Sequence, residues 1–492
     1  MGSLPNILLV TIDQWRADCL GAFGNSLIQT PNLDKLAAEG TLFKAHHTQA
    51  SPCAPSRACL LTGTYQHTNR VVFNGTPLDA DLTNLALEAR AGGYDPQLFG
   101  HTDTTIDPRT VNDADDPRLS TYEGPLPGFT VALELPEERE SWYQWLQEKG
   151  YDISDREKFL KPEGKTPIPE GKGQTWPASI FSADETETAF VVEQVIEKIK
   201  TLPEPWFLHV SLYRPHPPFH VPAPFNDMYD PEEVPEPLPA GDISHPFLNT
   251  LTELRFLDIP DNPIEVRQTR ATYYGMVTEV DNQMGRLLEA ISPVEDRTVV
   301  AVTSDHGEML GDHTLFSKMG FHDQAFHIPL IIRSPQINGP KGQVIEEFTE
   351  NVDIMPTLLD LANLPIPEQC QGRSLTPFLK EGKAPKWRDK THWEFDYRVF
   401  ANMIDLPLDE CHLVVERTET TKLVKFGEYP AIYFDLENDP NEQNPLTDHP
   451  LMEEAIQSLN SWMPSFRESE LVNRLATPDG MITLSDPHSR DS

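Results

Sequence analysis

The run Asn6 to Ile12 (NILLVTI) is almost wholly apolar and lacks the alternation of a half-exposed strand. It predicts a parallel strand buried on both faces. Trp206 to Leu212 (WFLHVSL), Thr298 to Thr303 (TVVAVT) and Ile328 to Ile332 supply further strands. Helical spacing marks Val191 to Ile199 and, at greatest length, the amphipathic run Arg267 to Ile291. An earlier helix opens at Thr30-Pro31-Asn32, with Thr30 as N-cap and Pro31 at the first helical position, and Gly40 closes it. Strands alternating with helices predict an α/β fold, a large mixed and mostly parallel sheet sandwiched by helices.

Two stretches break the alternation. Gly100 to Ala178 is rich in Pro, Asp, Glu and Gly, has weak periodicity, and reads as a long surface insertion shaping one side of a site. The Pro-rich segment Pro215 to Pro239 reads similarly. Near Gly382 to Trp387 the pattern changes to short strand-like runs: Thr391 to Phe400, His412 to Glu416, Lys422 to Phe426 and Ala431 to Leu436, then a helix from Met452. The expected division is a catalytic unit over 1–383, a smaller antiparallel α+β unit over 384–466, and a tail over 467–492.

Acidic residues number 77 against 39 basic ones, a formal charge of -38. That balance excludes nucleic acid and anionic membranes as partners. A solvated surface accounts for most of it, and any anion site must gather positive charge locally. The five cysteines (Cys19, Cys53, Cys59, Cys370 and Cys411) are too few, and odd in number, for a disulfide framework. Asn6 to Ile12 is too short for a signal or a membrane span, so the expectation is a cytoplasmic, soluble protein.

Candidate chemistry gathers at strand ends. The first strand runs into Asp13-Gln14, and the strand at Thr298 runs into Ser304-Asp305-His306-Gly307. In open α/β sheets ligands bind beyond the carboxyl ends of the strands. Two acidic ends, one followed by histidine, point to a divalent metal, although each aspartate taken alone reads more readily as a turn cap. The second feature is Cys53-Ala54-Pro55-Ser56-Arg57. A buried structural cysteine is the default for such a residue. A thiolate phosphatase loop needs arginine six residues on, where Cys59 stands, and no zinc partners lie at ligand spacing. What remains is the formylglycine signature Cys-x-Pro-Ser-Arg.

On these motifs the chain resembles the type I sulfatases of the alkaline phosphatase superfamily, closest to their branch of phosphonate monoester hydrolases and oligomeric arylsulfatases. Arg214-Pro215-His216-Pro217-Pro218-Phe219, Ser304 to Glu308 and Tyr433-Phe434-Asp435-Leu436 extend the likeness over nearly the whole chain. The resemblance implies an alkaline phosphatase-like fold and a sulfuric ester hydrolase, or alternatively a phosphonate monoester hydrolase or phosphodiesterase, acting on a small anionic ester. It implies that a formylglycine-generating enzyme oxidises Cys53 to an aldehyde whose hydrate is the nucleophile. A divalent ion, Mn²⁺ or Ca²⁺, would be held by Asp13, Gln14, Asp305 and His306. Arg57 would orient the hydrate, Lys318 and His216 would hold the anion and the leaving oxygen, with His216 as general acid, and Asn74 would donate to a nonbridging oxygen. The branch also implies a homo-oligomer, a dimer or tetramer, in which the tail from Glu468 reaches a neighbouring subunit.

The loop after Gly100 departs from the pattern. Sulfatases carry Lys-x-His there, and the phosphonate hydrolases carry Tyr and Thr. Here His101 takes the lysine place and Asp103 the histidine place. Ser56, where those hydrolases often have Ala, leans toward sulfatase. His209, inside an apolar strand, reads as a core histidine, and His313, His322 and His327 receive no role.

Overall fold

The computed structural model describes residues 4–462 except 114, 120, 242–244, 252–253, 255–258, 336, 338, 385, 401–402 and 404–405, together with the pairs 476–477 and 480–481. The tail from Glu468, to which the oligomer contact was assigned, lies outside the described residues apart from those two pairs.

An eight-stranded sheet forms the centre. Its order is Thr130–Glu134, Pro96–Gly100, Phe207–Leu212, Asn6–Ile12, Thr298–Ser304, Leu330–Arg333, Thr41–Phe43, Gln343–Ile345. All neighbours pair in parallel except at Leu330–Arg333, which runs against both of its partners. Every residue of Asn6–Ile12, Phe207–Leu212 and Thr298–Ser304 is buried, as an uninterrupted apolar run requires when helices cover both faces. Alternate side chains serve opposite layers. Leu8, Val10 and Ile12 meet Val277, Val280 and Leu287 of the long helix Pro263–Ile291. Ile7 and Leu9 meet the layer that includes Ala54, Ala58 and Leu61 of the helix Cys53–Thr62.

The expected insertion is partly core. Thr130–Glu134 adds an exposed edge strand, and Glu140–Glu148 is a helix whose Trp142, Tyr143 and Leu146 join the main cluster. Weak periodicity hid both, because an edge strand need not alternate and the helix covers little more than two turns. The long helix starts at Pro263, four residues before the expected Arg267, with Asn262 accepting from Ile264 N–H.

Thr30 precedes the helix Pro31–Glu39, with Pro31 at its start, but its hydroxyl does not cap the helix. It accepts from Gly21 N–H instead and donates to Asp34. The cap comes from the long helix. Asp281 accepts from Leu33 N–H at 2.8 Å, from Asn32 N–H at 3.1 Å and from Asn32 Nδ2 at 2.9 Å.

Beyond the main sheet, Lys390–Asp396, His412–Thr418, Thr421–Phe426 and Tyr429–Asp435 form an antiparallel meander. One face carries Trp393, Phe395, Val415, Val424 and Phe434 and packs on Met309, Phe321 and Phe326. The other takes the helix over 452–462 through Leu459 against Val414 and Tyr433. The small sheet therefore presses on the segment that follows Asp305. Among the described residues no helix is long and apolar enough to cross a membrane.

The capping role of Asp281 has a direct consequence. Asp281→Ala leaves two buried or half-buried first-turn N–H groups unmatched and should cost about 1–3 kcal/mol, measured by chemical unfolding. A change under about 0.5 kcal/mol, the range of surface substitutions, would contradict the cap.

Candidate active site

Four adjacent parallel strands deliver the site at their carboxyl ends. In sheet order, Pro96–Gly100 leads to His101 and Asp103, Phe207–Leu212 to His216, Asn6–Ile12 to Asp13 and Gln14, and Thr298–Ser304 to Asp305 and His306. Gly100 is required at the first turn. Its φ is +105°, and a Cβ there would lie 2.3 Å from the Ser211 carbonyl oxygen of the next strand. Cys53 opens the wholly buried helix Cys53–Thr62, whose aligned peptide dipoles give that end a positive potential. Gly63 in the left-handed region closes that helix, its N–H on Cys59 O at 3.0 Å.

Arg57, one turn after Cys53, is the hub. Its Nε donates to Asp305 Oδ2 at 2.9 Å and lies 3.0 Å from Asp103 Oδ2, and its Nη2 donates to Asp13 Oδ2 at 3.0 Å. Nη1 donates to Ser211 Oγ at 2.7 Å and to the His101 carbonyl at 3.1 Å. The guanidinium is almost wholly buried, and although burial opposes its charge, Asp305, Asp103 and Asp13 hold it ionised.

Around this hub lie Asp13, Cys53, Asp305 and His306, whose donor atoms all fall within 4.8 Å of one another. Cys53 Sγ is 3.1 Å from His306 Nε2. His306 Nδ1 faces the Gly307 carbonyl at 3.0 Å, so Nδ1 carries the proton and Nε2 presents its lone pair to the cluster. Burial first, against the pull of Asp305, pushes this imidazole down to about 3, which keeps it neutral. Asp13 is raised well above the carboxylate range by burial and then by the charge of Asp305, and its Oδ1 has no hydrogen-bond partner. Burial and Asp13 likewise raise the Cys53 thiol, so the sulfur stays protonated.

The remaining candidates surround this group. Lys318 is buried, and its Nζ donates to Gln14 Oε1 at 2.6 Å. Gln14 has φ 66°, held there by Asp305 Oδ1 on its N–H at 3.1 Å and by the Tyr273 hydroxyl on its carbonyl at 2.7 Å. Asn74 Oδ1 accepts from Ala54 N–H at 3.0 Å, which places the amide beside Cys53. His101 donates from Nδ1 to the Leu135 carbonyl at 3.1 Å, and its Nε2 lies 3.5 Å from Asp103 Oδ1. His216 donates from Nδ1 to the Pro217 carbonyl at 2.7 Å, leaving Nε2 free, and burial followed by the charge of Lys318 holds it well below the usual imidazole range. His209 is a core residue, pushed down to about 3 by burial, with Nε2 3.1 Å from Thr11 Oγ1.

Three contributors have no role in the sequence reading. Glu308 accepts from Gln14 Nε2, Ser211 binds Arg57, and Ser51 Oγ ties the Cys53 loop to the Lys318 carbonyl at 2.5 Å. The one signal for Glu308 was an acidic residue in a buried stretch two places after His306. Ser56 turns away from the cluster. Its hydroxyl binds Thr48 Oγ1 at 2.8 Å and the Asp305 carbonyl, so its identity reports packing rather than substrate.

The donor set suits a divalent cation. With all four ionised, carboxylates Asp13, Asp103, Asp305 and Glu308 face two cations, Arg57 and Lys318. Four less two leaves two buried negative charges. Oxygen donors with one imidazole nitrogen match a divalent ion that neutralises them.

Comparison with known proteins fits this geometry. Residues 5–364 match the family described as Sulfatase. The chain belongs to the sulfatase family. Residues 311–469 match a second description, N-sulphoglucosamine sulphohydrolase, C-terminal. This sulfatase-family chain is 37% identical over 511 residues to the multifunctional alkaline phosphatase superfamily protein PehA of Trinickia caryophylli, covering 97% of this chain and 99% of that one. It is 32% identical to an arylsulfatase of Clostridium perfringens, covering 92% of each. The solved phosphonate monoester hydrolase of Agrobacterium radiobacter superposes with a TM-score of 0.89 at 39% identity, over 97% of this chain and 99% of that one. The fold is thus the alkaline phosphatase-like sulfatase fold, and the protein is a hydrolase.

Proposed function

We propose that this family member hydrolyses monoanionic sulfate esters, with a formylglycine derived from Cys53 as the source of the nucleophile and one divalent ion, Mn²⁺ or Ca²⁺, held by Asp13, Gln14, Asp305 and His306. The observation that carries the reading is the position of Cys53, at a positive helix end with Sγ 3.1 Å from His306 Nε2. A buried thiol kept protonated by its surroundings is a poor nucleophile. A hydrated aldehyde in its place supplies a hydroxyl and can expel the transferred anion by reforming its carbonyl. The divalent ion, when bound, supplies Lewis-acid stabilisation of negative oxygen.

The chain's own residues do the rest. Arg57 keeps the carboxylates of Asp13 and Asp305 turned into the cluster. Lys318 and the positive helix end meet the nonbridging oxygens, and Asn74 Nδ2 is the donor left free by the cap on Ala54. His216 Nε2 is the atom that meets the leaving oxygen. A bound anion offsets the charge of Lys318, the second cause of its depressed pKa, so substrate binding favours the protonated form needed of a general acid. Maturation requires a formylglycine-generating enzyme. The working form is proposed as a homo-oligomer in the cytoplasm, with 384–466 as a smaller C-terminal unit.

A second reading, hydrolysis of phosphonate monoesters or phosphodiesters, is favoured by the similarity to the Agrobacterium radiobacter enzyme. His101 and Asp103 match neither branch. A panel of aryl sulfates, phosphonates and phosphodiesters ranks the two.

The shared apparatus is tested by mass spectrometry. Protein made alongside the converting enzyme should lose about 18 Da at Cys53, the thiol-to-aldehyde change. Cys53→Ala should lose activity by several orders of magnitude, as nucleophile removals do. Full activity with an unmodified thiol contradicts the proposal.

Charge sets a second expectation. A sulfate ester brings about one negative charge, and a phosphate monoester nearly two, since its second pKa is about 6. Asp103 stands 3.0 Å from Arg57 and consumes positive charge that a dianion would need. Aryl sulfates should therefore show a higher kcat/KM than aryl phosphates with the same leaving group, and Asp103→Asn should narrow the gap. Equal or better turnover of the phosphate rejects this argument.

A further inference from the structure

Gln14 is held by two partners of opposite character. Its Oε1 accepts from Lys318 Nζ at 2.6 Å, and its Nε2 donates to Glu308 Oε2. An ammonium only donates and an ionised carboxylate only accepts, so together they leave one sense for the amide. The carbonyl oxygen faces the lysine, and the NH₂ faces Glu308. The two ends of an amide are nearly equal in size, so packing alone does not choose between the senses. The hydrogen bonds choose.

Glu308 is itself fixed. Its Oε1 accepts from Leu310 N–H at 2.9 Å and from Ser317 N–H at 2.6 Å. Both residues have positive φ, 51° and 73°, and they bracket a loop that ends one residue before Lys318. Met309 N–H closes the same bracket on the Ser317 carbonyl at 2.7 Å. With one oxygen on two backbone N–H groups, the other is committed to Gln14. Glu308 is fully buried, so water cannot substitute for either bond.

We infer that Glu308 is a positioning residue for the metal centre, setting the sense of the Gln14 amide so that a carbonyl oxygen, not an NH₂, is offered to a cation. A hard divalent ion takes amide carbonyl oxygen, whereas an inverted amide would aim N–H dipoles at it. Outer partners of this kind commonly change metal affinity by roughly 10- to 100-fold. The inference rests on the divalent site proposed above, and its test keeps the two apart.

The test measures Mn²⁺ affinity of the metal-free full chain by competition with a chromophoric chelator, with no use of activity. In Glu308→Gln the new side chain keeps its oxygen on the two backbone N–H groups and turns its NH₂ to Gln14. The Gln14 amide then lies between two donors, the new NH₂ and Lys318 Nζ, so that keeping its sense opposes two NH₂ groups and inverting it turns N–H toward Lys318 and the cation. Affinity should fall roughly 10- to 100-fold, with secondary structure by circular dichroism unchanged. Combining E308Q with Q14E exchanges donor and acceptor between the two positions and again offers an oxygen to the cation. That exchange should restore affinity to within a few-fold of wild type. Wild-type affinity in Glu308→Gln overturns the inference, as does a folded exchange variant that stays weak. If Glu308→Gln does not fold, the exchange variant decides alone: folding with near wild-type affinity supports the inference, and loss of folding or binding rejects it. Wild-type protein that binds no divalent ion would instead reject the metal site itself.

Discussion

A buried guanidinium among three carboxylates sets the terms for this structure. Asp13, Asp103 and Asp305 come from three different strand ends, and Arg57 reaches all of them within 3.0 Å. Such a group is costly to bury unpaired and strongly attractive once paired. Removing Arg57 leaves three buried carboxylates without their shared partner. The three loops are therefore fixed relative to one another and to the helix that starts at Cys53. The same arrangement leaves Asp13 Oδ1 without a hydrogen-bond partner, on the side where His306 Nε2 and Cys53 Sγ point. The negative charge these carboxylates carry when ionised is local and buried, which is a different matter from the acidic surface implied by the overall charge.

The sheet makes this possible by placing four parallel ends side by side. Antiparallel neighbours would send alternate loops to opposite edges. Only Leu330–Arg333 reverses, and it lies outside those four. The small C-terminal sheet acts from behind. Its apolar face packs on Met309, Phe321 and Phe326, so the segment bearing Glu308 and Lys318 is held between two cores. Positive φ at Leu310, His313, Thr314 and Ser317 shows that this segment is held in conformations it would not adopt alone.

Much of this was legible in the sequence because the signals were local. Uninterrupted apolar runs marked the central strands, and Asp13, Asp305 and His306 stood directly after two of them. Cys53 to Arg57 is a contiguous motif. What the sequence concealed depends on partners far along the chain. Asp281 caps a helix that begins some 250 residues earlier, and no local pattern could displace Thr30 as the expected cap. Glu308 meets Gln14 across 294 positions. Ser56 looked like a substrate marker by its place in the motif, yet its hydroxyl is spent on Thr48 and the Asp305 carbonyl. The edge strand Thr130–Glu134 lacked alternation because solvent lies along most of it.

The central claim is that Cys53, once oxidised, shares one site with a single divalent ion. Anomalous diffraction from crystals of the matured protein grown with Mn²⁺ tests both halves at once. The account predicts one Mn²⁺ peak bounded by oxygens of Asp13, Gln14 and Asp305 and by His306 Nε2, with no sulfur signal at residue 53. A sulfur peak retained at Cys53 in active crystals, or a cation bound away from these four residues, would contradict it.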